Sequence, residues 1–375
     1  MAAALIAAID DRIARSGPMT VAEFIGLALY HEELGYYARA GQRSGRAGDF
    51  ITSVDLGPVF GELLAAQFAD MRPLAGGPGF DLVEAAAGNG RLARDILDAA
   101  AASHPDLYAA TRVHLVERSP AARAAHAATL GPHAARLAFS GPDLPARVTG
   151  AIYANELLDA LPPHLVVMRD AGLREVYVGS EGGRLVTREG DLSSPAIARH
   201  LDRVGARLEP GWSAEVNLAA ADWVRRAGAC LDRGFLLLID YGMEASALYS
   251  AAHAGGTLTT YRRHAAETRE QGPGWLLEPG DRDITSHVDL TAVKLAAADA
   301  GLTLVGIVDQ TYFLLGLAGR LLEGGSAFPD DPKRRLALKT LLMPGGLGST
   351  LKVLLFSKGV DAARLQGLSF GGRLT

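Results

Sequence analysis

One cysteine in 375 residues, Cys230, excludes an intramolecular disulfide and a cysteine-based zinc cluster. No apolar run reaches the roughly 18 residues that a membrane-spanning helix needs. Basic runs are also missing. The 37 Lys and Arg against 42 Asp and Glu leave a net charge of −5 spread along the chain, so a nucleic-acid backbone is not an expected partner. The opening stretch, MAAALIAAIDDRIARSG, is apolar only briefly before Asp10 and Asp11 and has no basic leader, so it makes a poor signal peptide. These absences lead to the expectation of a soluble cytoplasmic protein. A complete G-x-G-x-x-G fingerprint, a Walker lysine, an H-E-x-x-H zinc helix and a G-x-S-x-G elbow are all absent, which lowers nucleotide-phosphate, metalloprotease and hydrolase readings. What is present is a 49% apolar composition, enough for a sizeable core, in a chain long enough for two lobes of about 150 residues.

Leu5, Ile6, Ile9 and Ile13 recur at helical spacing, and Thr20 followed by Glu23 has the spacing of a capping box that starts a second helix. LGYYARAGQRSGRAGDFITS reads as loop, and a third helix follows Pro58. FDLVEAAAGNGRLARDILDAA and RVHLVERSPAARAAHAATL each read strand, turn, helix. ARLAFS and GAIYANELLDALP add two further apolar runs, giving the alternation of a parallel α/β sheet. The stretch HLVVMRDAGLREVYVGSEGGRLVTRE then forms a small meander. A helical stretch through Trp223 and Cys230 leads into GFLLLIDYG, a fifth buried strand. After a loop-rich segment at 242–287 and a helix near 289–300, LTLVGIVDQTYFLLG and LKVLLFSKG read as two closing strands.

Four groups of residues offer chemistry. The turn after the first strand, Glu84-Ala85-Ala86-Ala87-Gly88-Asn89-Gly90, lets backbone approach a ligand at the carboxyl edge of the sheet, or is simply a tight turn of small residues. Glu117 ends the second strand, where a carboxylate can accept from two ribose hydroxyls. Asn155-Glu156-Leu157-Leu158-Asp159 puts two acids three apart; on one helical turn they would share a face able to hold a guanidinium, or Asn155 would merely cap a short helix. Finally, His287 and Asp289 stand before a helix, with Arg262, Arg263 and His264 upstream; two such ligands make a poor metal site, and no metal is expected.

Eight segments in order, GYY (35–37), GDFITS (48–53), FGEL (60–63), NELLDALP (155–162), LLLIDYG (236–242), GTLTTYRRH (256–264), DITSHVDLT (283–291) and LKVLLFSKG (351–359), resemble the MidA-like family, which includes a mitochondrial complex I assembly factor that methylates arginine. The resemblance implies an α/β fold: the class I methyltransferase Rossmann-like seven-stranded sheet, with a helical N-terminal region and insertions after strands four and five. It implies S-adenosyl-L-methionine as cofactor. It further implies an organisation into 1–75 (helical region and cofactor-covering loop), 76–162 (first part of the core), 163–232 (meander and helical insertion) and 233–375 (rest of the core, with a substrate-cleft insertion near 242–287).

Carried onto this chain, the family pattern assigns Glu84, Ala86, Gly88, Gly90 and Glu117 to the cofactor. Asp143 falls near the adenine, and Gly48, Asp49, Thr52 and Ser53 on a loop over the methionine end. Asn155, Glu156, Asp159 and His287 become the catalytic group, with Asp289 lining the same cleft. The implied partner is a protein substrate such as a respiratory-complex subunit, acting through an arginine, or a small-molecule methyl acceptor; a homodimer is compatible. Two departures stand out. The family loop reads E-x-G-P-G-x-G, whereas this chain has Ala86 and Ala87 for the first glycine and the proline, and Thr260 stands where many members carry cysteine. If position 86 needs φ > 0, alanine costs about 1 kcal/mol there. That departure keeps a non-catalytic assembly factor in view as an alternative, while a nicotinamide oxidoreductase fails on glycine spacing.

Overall fold

Seven apolar runs pair into one sheet: β1 (Phe80–Ala85), β2 (Thr111–Val116), β3 (Leu137–Gly141), β4 (Val148–Asn155), β5 (Leu231–Met243), β6 (Thr303–Asp309) and β7 (Leu351–Lys358). Every residue of β1 is buried, and so are all but the last of β7, because a sheet covered on both faces reads as continuous rather than alternating hydrophobicity. The computed structural model describes residues 2–38, 52–262, 265–266, 273–323, 331–342, 350–361 and 365–371. Gly48, Asp49, Arg263 and His264 lie outside the described residues.

The chain divides into two units built from interleaved segments: Met1–Phe50, Leu158–Trp223 and Gly242–Ala296 in one, and Ile51–Leu157, Val224–Tyr241 and Ala297–Thr375 in the other. The second unit holds the seven-stranded sheet in the order β3-β2-β1-β4-β5-β7-β6. Strands β1 to β5 are parallel, and β7 lies antiparallel between β5 and β6. The order reverses between β1 and β4, whose register pairs Glu84 with Tyr153 and Ala85 with Ala154. Such a switch point leaves a crevice beyond the carboxyl ends of the strands. Helix Val59–Ala75 covers one face, placing Phe68 against Tyr153 with ring centroids 5.1 Å apart.

The first unit contains helices Ala2–Ser16 and Val21–Tyr30, the second opened by the Thr20–Glu23 capping box. Its sheet runs Met19–Thr20, Gly172–Glu181, His164–Arg169, Ser213–Val216, with Arg184–Gly190 on the far edge of Gly172–Glu181. A smaller antiparallel sheet joins Ala265–Ala266, Thr259–Arg262 and Asp283–Thr285. The meander and the insertions after strands four and five are therefore present in this unit.

Two local expectations change. LTLVGIVDQTYFLLG is a strand only to Asp309 and then the helix Gln310–Glu323. Its apolar residues satisfy either period, and a short buried run does not distinguish them. Residues 156–161 form bends and turns rather than a helical turn, because Glu156 takes φ +54 and Pro162-Pro163 follows, so Glu156 and Asp159 do not share a helix face.

Candidate active site

In the second unit the site is built on the carboxyl ends of β1, β2 and β4. Beyond β1 the chain turns through three left-handed residues, Ala86 at φ +58, Gly88 at φ +54 and Gly90 at φ +86, before helix Arg91–Ser103 begins. The two glycines serve different ends. A Cβ on Gly90 would lie 3.0 Å from Leu115 Cδ1, so its bareness allows packing. A Cβ on Gly88 would meet no atom within 4 Å, so its bareness keeps backbone open toward a ligand. Ala86 adopts the left-handed conformation with its side chain exposed, and the loop keeps its turn despite the alanine.

Glu117 follows β2. Its Oε2 accepts from the Gly88 N–H at 3.0 Å and its Oε1 from the Ser119 N–H at 2.8 Å. A carboxylate has about four acceptor positions, so two amides leave capacity for ribose hydroxyls. Glu84 lies beneath the loop, 5% exposed, with Oε2 accepting from the Ala93 N–H at 3.1 Å and the Tyr153 hydroxyl at 3.0 Å. Burial outweighs these bonds and pushes its carboxyl up to about 8, so Glu84 is neutral at pH 7.

Sequence reasoning passed over His126. Its ring is fully buried, with Nε2 2.9 Å from the Gly88 carbonyl and Nδ1 2.9 Å from Ser140 Oγ. A carbonyl only accepts, so Nε2 carries the proton and Nδ1 accepts from the serine. Burial holds the ring below the ordinary histidine value, which keeps it neutral. A lone histidine in an alanine-rich helix gave no periodic or spacing signal.

The remaining cofactor candidates fall in the same unit. Asp143 is exposed in the turn between β3 and β4. Thr52 bonds through its N–H and hydroxyl to Asp55 Oδ2, each at 3.0 Å, and the fully buried Ser53 donates to Gln310 Oε1 at 3.2 Å.

At the end of β4, Glu156 takes φ +54, with its N–H bonded to the Ile239 carbonyl at 2.8 Å. Asn155 Nδ2 donates to Glu156 Oε1 at 2.9 Å, while Asn155 Oδ1 is buried with no hydrogen-bond partner among the described residues. Ala86 and Glu156 thus place two non-glycine left-handed residues beyond the ends of neighbouring strands, and strain of this kind concentrates at functional sites.

Asp159 and His287 belong to the first unit. Asp159 Oδ2 accepts from the Thr285 hydroxyl at 2.8 Å, and its carbonyl accepts from the Ser286 N–H at 3.3 Å. His287 is exposed, edge-on to His253 at 6.4 Å, with its N–H bonded to Thr257 Oγ1 at 3.0 Å. Asp289 Oδ1 caps the following helix through the Ala292 N–H at 3.0 Å, and its Oδ2 lies 3.7 Å from His200 Nε2. Thr257 and Leu258 wrap the buried Glu215, which accepts both of their N–H groups. Glu215 is a second anchor that the sequence did not reveal.

The model of a family described as "Putative S-adenosyl-L-methionine-dependent methyltransferase" matches residues 63–308. The chain belongs to that family. This methyltransferase is similar, at 30% identity and a TM-score of 0.87, to a Burkholderia thailandensis protein crystallised with S-adenosyl-homocysteine; the match covers 99% of this chain and 95% of that one. It is also 29% identical to the mitochondrial protein arginine methyltransferase NDUFAF7 homolog of Drosophila melanogaster, over 94% of this chain and 85% of the relative. The human protein arginine methyltransferase NDUFAF7 is 27% identical over 83% of this chain and 73% of its own length. The MidA-like resemblance, the class I Rossmann-like fold and the use of S-adenosyl-L-methionine therefore stand.

The cytoplasmic expectation is contradicted by the Drosophila and human relatives, which are mitochondrial proteins. Among the described residues, no helix is long and apolar enough to cross a membrane.

Proposed function

We propose that this S-adenosylmethionine-dependent enzyme methylates an arginine of a protein substrate. The observation that carries the reading is the acceptor-rich end of β4, where Asn155 Nδ2 donates to the Glu156 carboxylate and Asn155 Oδ1 has no hydrogen-bond partner among the described residues, beside the strand that bears the glycine loop. A guanidinium is all donors, and these atoms are acceptors. The names of the curated relatives, protein arginine methyltransferases, agree with it.

The loop fits the cofactor: open backbone at Gly88, an acid at Glu117 that would take the ribose, and Ala86, Gly90 and the neutral Glu84 shaping and supporting the turn, while Asp143 would serve the adenine end. Thr52 and Ser53 complete this group from the segment before helix Val59–Ala75. When bound, S-adenosylmethionine supplies a methyl group already activated on a positively charged sulfur. What the protein must add is placement and proton management. Glu156 pairs with the guanidinium and draws its charge onto the far nitrogens, leaving the presented nitrogen electron-rich. Its carboxylate then takes the proton that nitrogen loses. Asn155 orients Glu156 through Oε1.

The test is transfer of labelled methyl into a protein extract, followed by hydrolysis and amino-acid analysis. Label recovered as methylarginine, and lost in Glu156→Gln while cofactor still binds, is the expected result. Label confined to small molecules would replace the protein substrate with a compact methyl acceptor.

A further inference from the structure

Three charged residues stand in a row across the closing strands of the seven-stranded sheet. Asp240 on β5 pairs in register with Lys352 on β7, and Lys352 pairs with Asp309 on β6. All are buried, at 2%, 9% and 0% exposure, and Lys352 Nζ donates to Asp309 Oδ1 at 2.5 Å. Buried ion rows are poor sources of stability, since apolar residues of similar size commonly serve as well. This row lies where β4 and β5 stop pairing. The ladder ends with the Glu156 N–H on the Ile239 carbonyl, and the next amide, Leu157 N–H, bonds instead to Asp240 Oδ2 at 3.1 Å. Asp240 Oδ1 accepts from the Tyr241 N–H at 2.9 Å. One carboxylate therefore holds the amide immediately beyond Glu156 and the amide immediately beyond itself.

A left-handed glutamate is strained, and such a conformation persists only where its surroundings fix it. The bonds on either side of Glu156 do this: one from its own N–H, and one from the following N–H to an ionisable group, the stronger kind. We propose that Asp240, set opposite Lys352 and Asp309, is a positioning residue that holds Glu156 in its left-handed bend so that its carboxylate faces the guanidinium of the acceptor. This rests on the assignment of Glu156 to the acceptor given above.

The experiment titrates Nα-acetyl-arginine methylamide into the protein saturated with S-adenosylhomocysteine, for wild type, Glu156→Gln, Asp240→Asn and the double variant. S-adenosylhomocysteine affinity and thermal melting are read alongside. Asp240→Asn should weaken the probe about tenfold, the size of one charge-assisted bond, with homocysteine-cofactor affinity within about twofold of wild type. The double variant should bind the probe no more weakly than Glu156→Gln alone, because Asp240 acts through Glu156. A purely structural residue would give losses that multiply, and that result overturns the proposal, as does an Asp240→Asn protein with undiminished probe binding. If Glu156→Gln itself leaves the probe unaffected, the acceptor assignment fails and this proposal falls with it. Should Asp240→Asn not fold, Asp240→Glu keeps the charge while displacing the Leu157 bond, and the same two comparisons decide.

Discussion

The ring of His126 holds the carbonyl of Gly88, 38 residues away, at 2.9 Å, and the amide of the same glycine is held by Glu117 at 3.0 Å. The residue proposed to present open backbone to the cofactor is thus fastened at both polar atoms of its peptide units. Removing the ring by His126→Ala leaves a half-buried carbonyl unpaired and a cavity behind it. We expect about 2 kcal/mol or more of lost stability and about tenfold weaker S-adenosylhomocysteine binding by calorimetry. Unchanged affinity would show that Glu117 alone fixes the glycine.

Ala86 carries its strain openly, with φ +58 and an exposed side chain. Ala86→Gly removes a left-handed penalty of about 1–2 kcal/mol and adds roughly 0.4–1 kcal/mol of unfolded-state entropy. Denaturant unfolding should therefore find the variant roughly 0.5–1 kcal/mol more stable. A less stable variant would mean that the methyl group makes contacts that offset the strain.

Glu84 gives the protein a pH dependence of stability. Its folded value, about 8, lies above the ordinary glutamate range, so between the two the folded chain binds more protons than the unfolded one. Stability from this group is present at low pH and is lost as pH rises toward 8, at up to about 1.4 kcal/mol per pH unit. Glu84→Gln should flatten that slope, and melting temperatures at pH 5 and pH 8 measure it. Parallel wild-type and variant curves would contradict the assignment.

In the first unit, Gly256 has φ +76, and a Cβ there would stand 2.3 Å from Glu215 Oε1. Gly256→Ala should push the buried carboxylate off the amides of Thr257 and Leu258, at a cost of about 2 kcal/mol or more. Hydrogen exchange would report the loss as faster exchange at those two amides. Unaltered protection would place the anchor elsewhere.

The parallel core was legible because its strands centre on short apolar runs separated by helical repeats, and the glycine loop because Gly88 and Gly90 flank a strand–helix junction. Glu117 could be read for its place at a strand end. His126 and Glu215 could not. Each acts on backbone far along the chain, His126 on Gly88 and Glu215 on the amides at 257 and 258, and a single sequence carries no pattern for a bond of that kind. The segment at 155–162 was misread locally because its apolar spacing suits a helix, while the left-handed turn at Glu156 is dictated by partners on β5. Asp240 drew no reading of its own, because its bond to the Leu157 amide spans 83 residues.

The insertion of β7 between β5 and β6 governs the order in which the chain can fold as it is made. Among the described residues, strand β6 has no neighbour in the sheet except β7, and β7 spans residues 351–358. Until those residues leave the ribosome, β5 offers an unpaired apolar edge and β6 has nothing to pair with. The nascent protein therefore carries β1 to β5 through more than a hundred further residues of synthesis with one side of the sheet open. Chaperone dependence should fall sharply once β7 emerges.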